Sequence, residues 1–179
     1  MCKLTENAYR DVNIAFANEL SLICDKLDIN VWTLRDLANC HPRVNILKPG
    51  PGVGGHCIAV DPWFIVSSSP DEAKLISKAR TINNGIPKIV VKKISSAAEK
   101  INKKKSTLLI ATLGLSFKAD INDLRESPAV EIAKIIESMG FAKQLIVEPN
   151  ISAIPKDFDP SISELVDLES PLDMAELIV

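Results

Sequence analysis

Apolar positions early in the chain recur at helical spacing. Leu4, Ala8, Val12, Ala15, Leu20, Leu22, Ile23 and Leu27 predict one long helix with an apolar face, and no glycine or proline interrupts residues 1–41. Asp28-Ile29-Asn30 reads as a short break. Asn30 is placed to N-cap a second helix over Val31–Asn39, which carries Trp32, Leu34 and Leu37. The pattern then fails. Four of the seven glycines lie between Gly50 and Gly55, and Pro42, Pro49, Pro51 and Pro62 surround them. His41–Pro62 therefore reads as an irregular, rather apolar loop, of a length usually kept for function.

Helical spacing resumes from about Pro70 to Asn102 through Ala73, Leu75, Ile76, Ala79, Ile82, Ile86, Ile89, Val90, Ile94 and Ala97. Gly85 and Pro87 are expected to kink or split this helix. Lys100–Lys105 is a basic turn, read as a solvated surface. The period changes in the last third. Thr107–Leu113 is a continuous apolar run, as expected of a strand buried on both faces. Ser127-Pro128 opens a helix that runs to about Met139 and stops at Gly140, and Leu145-Ile146-Val147 is a second, parallel strand. The fold class expected is α/β: a helical domain over residues 1–103, then a partial Rossmann-like parallel domain over 104–179 with two or three strands.

Composition narrows the function. The chain has 179 residues, 46 % hydrophobic and 25 % charged, enough for a substantial core without staples. A net charge of -2 argues against a general nucleic-acid binder. No apolar run approaches the roughly 18 residues of a membrane span, and Met1–Glu6 has no signal-peptide core, so the expectation is a cytoplasmic protein with no membrane partner. The cysteines Cys2, Cys24, Cys40 and Cys57 form no CxxC pair, and with two histidines they give neither a metal signature nor a disulfide framework.

Cys57 is the most informative residue. It follows Gly54-Gly55-His56, and Asp61 lies four residues on, facing the same side if Cys57 begins a helical turn. Glycines let backbone approach a ligand, and a thiol presented after such a turn becomes a nucleophile when a cation lowers its pKa. The same residues also suit a buried cysteine beside a loop whose glycines only shape the turn. His56 adjoins Cys57 in sequence, so the two side chains should diverge rather than form a hydrolase dyad. Lys3 and Asn7 share one helix face. Lys118 and Arg125 flank a strand-to-helix connection, where open α/β sheets bind ligands and a cation beside a helix start suits a phosphate. GPGVGG, following a proline loop rather than a strand, is not a dinucleotide fingerprint.

Together, CKLTEN (2–7), DVNIAFANE (11–19), the run from His41 to Pro62 with PGPGVGGHCIAVDP, and LSFKADINDLRESPA (115–129) resemble the UDP-glucose/GDP-mannose dehydrogenase family. The histidine before Cys57 and the VDP after it are similar to its N-acetylhexosamine branch. The resemblance implies oxidation of a sugar-nucleotide C6 alcohol to a carboxylate with two NAD, UDP-N-acetyl-D-mannosamine being the expected substrate and UDP-N-acetylglucosamine or UDP-glucose the alternatives. It implies that Cys57 attacks the intermediate aldehyde, that Lys3 stabilises the oxyanion with Asn7 as its hydrogen-bonding neighbour, and that Asp61 serves water activation and proton transfer. It places Gly52, Val53, Gly54 and Gly55 along the sugar, Phe117 and Lys118 at the uridine diphosphate, Arg125 near NAD, and Arg43 at a neighbouring subunit's substrate. A homodimer through the apolar face of the first helix is expected.

The resemblance begins at the family's central helix. The amino-terminal NAD domain with its GxGxxG motif and catalytic glutamate has no counterpart in these residues, so this chain alone is expected to be inactive, as a fragment of such an enzyme. A non-catalytic dimerisation or nucleotide-binding module is the reading from another class, and a thiol hydrolase a more distant one.

Overall fold

The long first helix forms as α1 (Cys2–Lys26) in a computed structural model that describes residues 1–179, apart from the Ser170 side chain. Its buried face differs from the expected apolar one. Asn7, Ala8, Asp11, Ala15, Ala17, Asn18 and Cys24 are buried, whereas Ile23 and Leu27 are exposed and Leu4, Val12, Leu20 and Leu22 half-buried. Small side chains let neighbouring segments approach closely, and the larger apolar ones are left outside. Asp28 turns the chain with φ 55, a conformation aspartate tolerates better than most residues. Asn30 then caps α2 (Val31–Ala38), its side chain accepting the N–H groups of Trp32 and Thr33.

The glycine–proline segment is irregular, but it ends in a helix that the hydrophobic pattern does not reveal. This helix, α3 (Asp61–Ser68), starts with Pro62 in its first turn and packs on α1. The next, α4 (Lys74–Lys100), is a single helix of 27 residues with Pro87 inside it. Gly85 and Pro87 do not split it. The cost of the proline is one missing N–H, which would have bonded the Asn83 carbonyl.

The chain divides into two compact units, Met1–Ile86 and Pro87–Val179. The second is built on a parallel sheet of four strands, where two or three were expected. Its strands are β1 (Leu109–Leu113), β2 (Lys143–Val147), β3 (Ser163–Leu165) and β4 (Leu177–Ile178), in the order β3-β2-β1-β4. Register pairs Ala111 with Leu145 and with Ile178. α5 (Pro128–Glu137) connects β1 to β2 and packs on β2, and α6 (Glu169–Met174) precedes β4 and packs on β1. The core gathers Leu108, Ile110, Ile132, Ile136 and Phe141 with Ile94 and Ala98 from the end of α4, and a second cluster joins Leu115, Ala133, Ile146 and Phe158.

One polar chain crosses the buried middle of the sheet. The Gln144 amide donates to the Thr112 hydroxyl at 2.9 Å, and the Ser163 hydroxyl is 3.3 Å from the Gln144 amide oxygen and 2.7 Å from Glu137. Successive strands lie to one side of β1 and then β4 returns on the other, so β1 and β4 frame a switch point, the place where open parallel sheets bind ligands at their carboxyl ends.

Candidate functional site

In the first unit the glycine-rich segment ends in a turn. The N–H groups of Val60 and Asp61 both reach the Cys57 carbonyl, at 3.1 and 2.8 Å. This is the helical turn on which the shared side of Cys57 and Asp61 depended. Cys57 is half-buried, and its thiol is free. Gly52 and Gly55 carry φ values of 136° and 81°, backbone that a side chain would strain. Val53 and Gly54 between them are half-buried.

Asp61 is reached from α1. Asn7, 2 % exposed, donates its side-chain amide to the Asp61 carboxylate at 2.6 Å, across 54 residues of sequence. Burial leaves Asn7 no water to bond, so this contact fixes both side chains. Lys3 stands apart from the pair. It is exposed and lies 3.6 Å from Glu6 on its own helix, an exposed pair of small energetic weight. Arg43 is exposed too, its main-chain N–H donating to His41 Nδ1. Of the sequence-derived set in this unit, then, Asn7 and Asp61 bond through their side chains, Cys57 is tied to Asp61 through its main-chain carbonyl, and Lys3 and Arg43 are exposed.

Beneath them lies a polar network that the sequence reading did not single out. The Arg80 guanidinium donates to Asp11 Oδ1 at 2.6 Å and also bonds Asn84. Asn83 donates to Asp11 Oδ1 and to the Asp11 carbonyl, Asn18 donates to Asn83, and Asn18 Oδ1 accepts the Gly50 N–H at 2.9 Å. Asp11, Asn18, Arg80 and Asn83 are each no more than 2 % exposed. Burial pushes the Asp11 carboxyl up, with the Arg80 guanidinium and the Asn83 amide pulling the other way. The signal was in the sequence: Asn7, Asp11 and Asn18 are polar residues four and seven apart, on one helix face.

In the second unit the segment leaving β1 is tied down at several points. The Glu148 carboxylate, at the end of β2, accepts the N–H groups of Leu115 and Ser116, both at 2.9 Å, and binds Asn150 with its other oxygen. Burial alone would raise its pKa, but the main-chain N–H donors of Leu115, Ser116 and Asn150 hold it below the usual carboxylate range. The Ser116 hydroxyl donates to the Ile121 carbonyl. Ser127 occupies the N-cap position of α5, yet its hydroxyl donates back to the Leu115 carbonyl at 2.6 Å instead of capping the helix. Asp120 and Glu126 hold left-handed backbone, φ 60 and 51, at a cost of roughly 1–2 kcal/mol each. The segment so fixed presents Phe117, half-buried, and Lys118, exposed. Arg125 pairs with Asp123 at 2.6 Å. Glu148 was also missed, its sole signal being a carboxylate directly after a strand.

Comparison with known proteins gives these two regions a common origin. Residues 1–85 match the central domain of the UDP-glucose/GDP-mannose dehydrogenase family, and residues 111–179 match that family's UDP binding domain. A UDP-N-acetyl-D-mannosamine dehydrogenase of Yersinia pestis is 55 % identical over 183 residues, covering 100 % of this chain and 43 % of the relative. An NDP-N-acetyl-D-galactosaminuronic acid dehydrogenase of Ralstonia solanacearum is 53 % identical over 179 residues, covering 100 % of this chain and 41 % of the relative. Among solved structures, a UDP-D-ManNAc dehydrogenase from Pyrococcus horikoshii superposes with a TM-score of 0.84 at 37 % identity, over 99 % of this chain and 40 % of that one. The chain thus spans about two fifths of the length of these relatives. Its sequence and its fold agree: the chain belongs to the UDP-glucose/GDP-mannose dehydrogenase family.

Proposed function

We propose that these residues are the central and UDP-binding parts of an NAD-dependent dehydrogenase that oxidises C6 of UDP-N-acetyl-D-mannosamine to the uronate. The observation that carries this reading is the junction of Asn7, Asp61 and the Cys57 turn, which holds a carboxylate and a half-buried free thiol on neighbouring turns of backbone. In this reading the Cys57 thiolate adds to the C6 aldehyde to give a thiohemiacetal, and the later thioester is hydrolysed by a water that Asp61 orients and deprotonates. Asn7 holds Asp61 in place. Lys3 turns from Glu6 to the developing oxyanion when substrate is bound. Gly52, Val53, Gly54 and Gly55 line the sugar, and Arg43 serves the substrate of a neighbouring subunit. Phe117 and Lys118 take the uridine diphosphate, Lys118 as a point charge on phosphate. The functional division proposed is a central domain over residues 1–103 and a nucleotide-sugar domain over 104–179.

NAD supplies the hydride acceptor in this chemistry. GPGVGG lies in irregular backbone rather than at a strand-to-helix turn, and Arg125, exposed and paired with Asp123, is the residue of this chain read as lying near NAD. The steps assigned to this chain are those its own side chains carry. A homodimer is part of the reading, because Tyr9, Phe16 and Ile23 recur at seven-residue spacing along α1, each about half exposed or more. Free cysteines suit a cytoplasmic setting, and no helix among the described residues is long and apolar enough to cross a membrane.

The test is Cys57→Ser in the complete enzyme carrying these residues. Overall oxidation to the uronate should stop while binding of the sugar nucleotide persists, and uronate formed at the parent rate would refute the assignment. The 53 % identity to the galactosaminuronic acid dehydrogenase favours a second sugar almost as strongly. Comparing kcat/KM for UDP-N-acetyl-D-mannosamine, UDP-N-acetyl-D-galactosamine, UDP-N-acetylglucosamine and UDP-glucose decides between them.

A further inference from the structure

The glycine-rich segment is fastened to α1 at both ends, and the two fastenings differ in kind. At its far end Asp61 is held by Asn7; at its near end the Gly50 N–H is held by Asn18. Asn7 and Asn18 stand about three turns apart on one face of α1, roughly 16 Å along its axis. The chain from Gly50 to Asp61 has as many residues and could reach much farther if extended. Residues 51–56 belong to no helix or strand, so the path of this slack segment is set where it is fastened.

A side-chain amide can fasten a backbone N–H only if its oxygen faces it, and both groups of an amide compete for that place. Here the orientation is dictated from a distance. Asp11 offers Oδ1 and its main-chain carbonyl to Asn83 as acceptors, so the Asn83 nitrogen must face them and its oxygen must face away. That oxygen takes the Asn18 nitrogen, which turns the Asn18 oxygen to Gly50. Arg80 holds the Asp11 oxygen from which the order starts. Asp11, Asn18, Arg80 and Asn83 are all buried, so a reversed amide among them would leave unpaired polar atoms with little water to bond.

We propose that Asn18, oriented through Asn83 and Asp11, is a positioning residue for Cys57: it fixes the entry of the glycine-rich segment onto α1 and so sets where the thiol turn lies. This rests on the reading of Cys57 as the nucleophile, but its test does not use turnover. In the 179-residue chain, amide exchange is followed by NMR at Gly50 and at Ile46, whose N–H is bonded to Asn39 instead. Alkylation by iodoacetamide is followed at Cys57 and at the exposed Cys40 by peptide mass spectrometry.

The parent chain should show Gly50 exchange slowed at least tenfold below the unbonded rate. Asn18→Ala should abolish that protection, leave Ile46 within twofold, and change the Cys57 to Cys40 alkylation ratio at least threefold. An unprotected Gly50 in the parent overturns the proposal, and needs no variant to fold. Equal acceleration at Gly50 and Ile46 in Asn18→Ala, or an unchanged alkylation ratio, overturns it as well. Cys57→Ser turnover in the complete enzyme answers the separate question of whether the thiol is the nucleophile, so the two failures are distinguishable.

Discussion

The Asn7 amide and the Asp61 carboxylate meet at 2.6 Å, and through that bond the first helix holds the first residue of α3. Asn7 is the buried partner and Asp61 the half-buried one. Truncation should therefore be asymmetric. Asp61→Ala leaves a buried amide unpaired and should cost about 1–3 kcal/mol, whereas Asn7→Ala leaves a carboxylate that water can reach and should cost less. Urea unfolding of the two variants measures the difference.

The glycines are not equivalent. Gly55 is buried with φ 81, and Gly55→Ala should cost roughly 1–2 kcal/mol. At Gly50 an added Cβ meets nothing within 4 Å, and alanine keeps the N–H that Asn18 accepts. Gly50→Ala should change stability by less than about 0.5 kcal/mol. Thermal unfolding of both variants, side by side, checks the contrast.

Glu148 should make the second unit acid-sensitive. Its carboxyl is held below 4.5, the ordinary value for glutamate, in the folded chain. The stability it contributes is therefore complete above that pH and is lost as pH falls through the lower folded value. Glu148→Gln should cost about 1–3 kcal/mol near neutrality, because one amide oxygen replaces a carboxylate that serves three residues. It should also flatten the pH dependence of unfolding below pH 4.5. A variant with the parent's acid slope would assign that slope to another group.

The exposed stripe on α1 predicts association. Phe16 is 56 % exposed between Tyr9 and Ile23. Phe16→Glu should weaken self-association at least tenfold, about 1.4 kcal/mol, by sedimentation, while the circular dichroism of the chain stays that of the parent.

Elements with a repeated pattern or a local chemical signal were legible in the sequence. Asn30 announced α2, Ser127-Pro128 announced α5, and the apolar runs announced β1 and β2. Elements too short to show a period were not. α3 is apolar on most sides, with only Pro62 as a start signal, and β3 and β4 have three and two residues. The buried face of α1 was read only in part: Ala8 and Ala15 go inside as expected, but so do Ala17, Asn7, Asp11 and Asn18, while Ile23 stays out. At the site, Cys57 and Asp61 were legible because a single turn joins them. The spacing of Asn7, Asp11 and Asn18 marks a polar helix face, but the partners of Asn18, Asn83 and Glu148 come from distant segments, and no local spacing names those.

The Thr112–Gln144–Ser163 chain has a consequence for how reliably the sheet assembles. A slip of one position turns every side chain of a strand to the other face, and where both faces are largely buried, as along the middle of β1 and β2, hydrophobicity marks the wrong register less sharply. A buried amide does not forgive the slip. Shifting β1 or β3 against β2 would orphan the Gln144 side chain, at about 1–3 kcal/mol for each stranded group. Those three polar residues act as a checksum on strand pairing, rejecting misaligned sheets that hydrophobicity alone would accept.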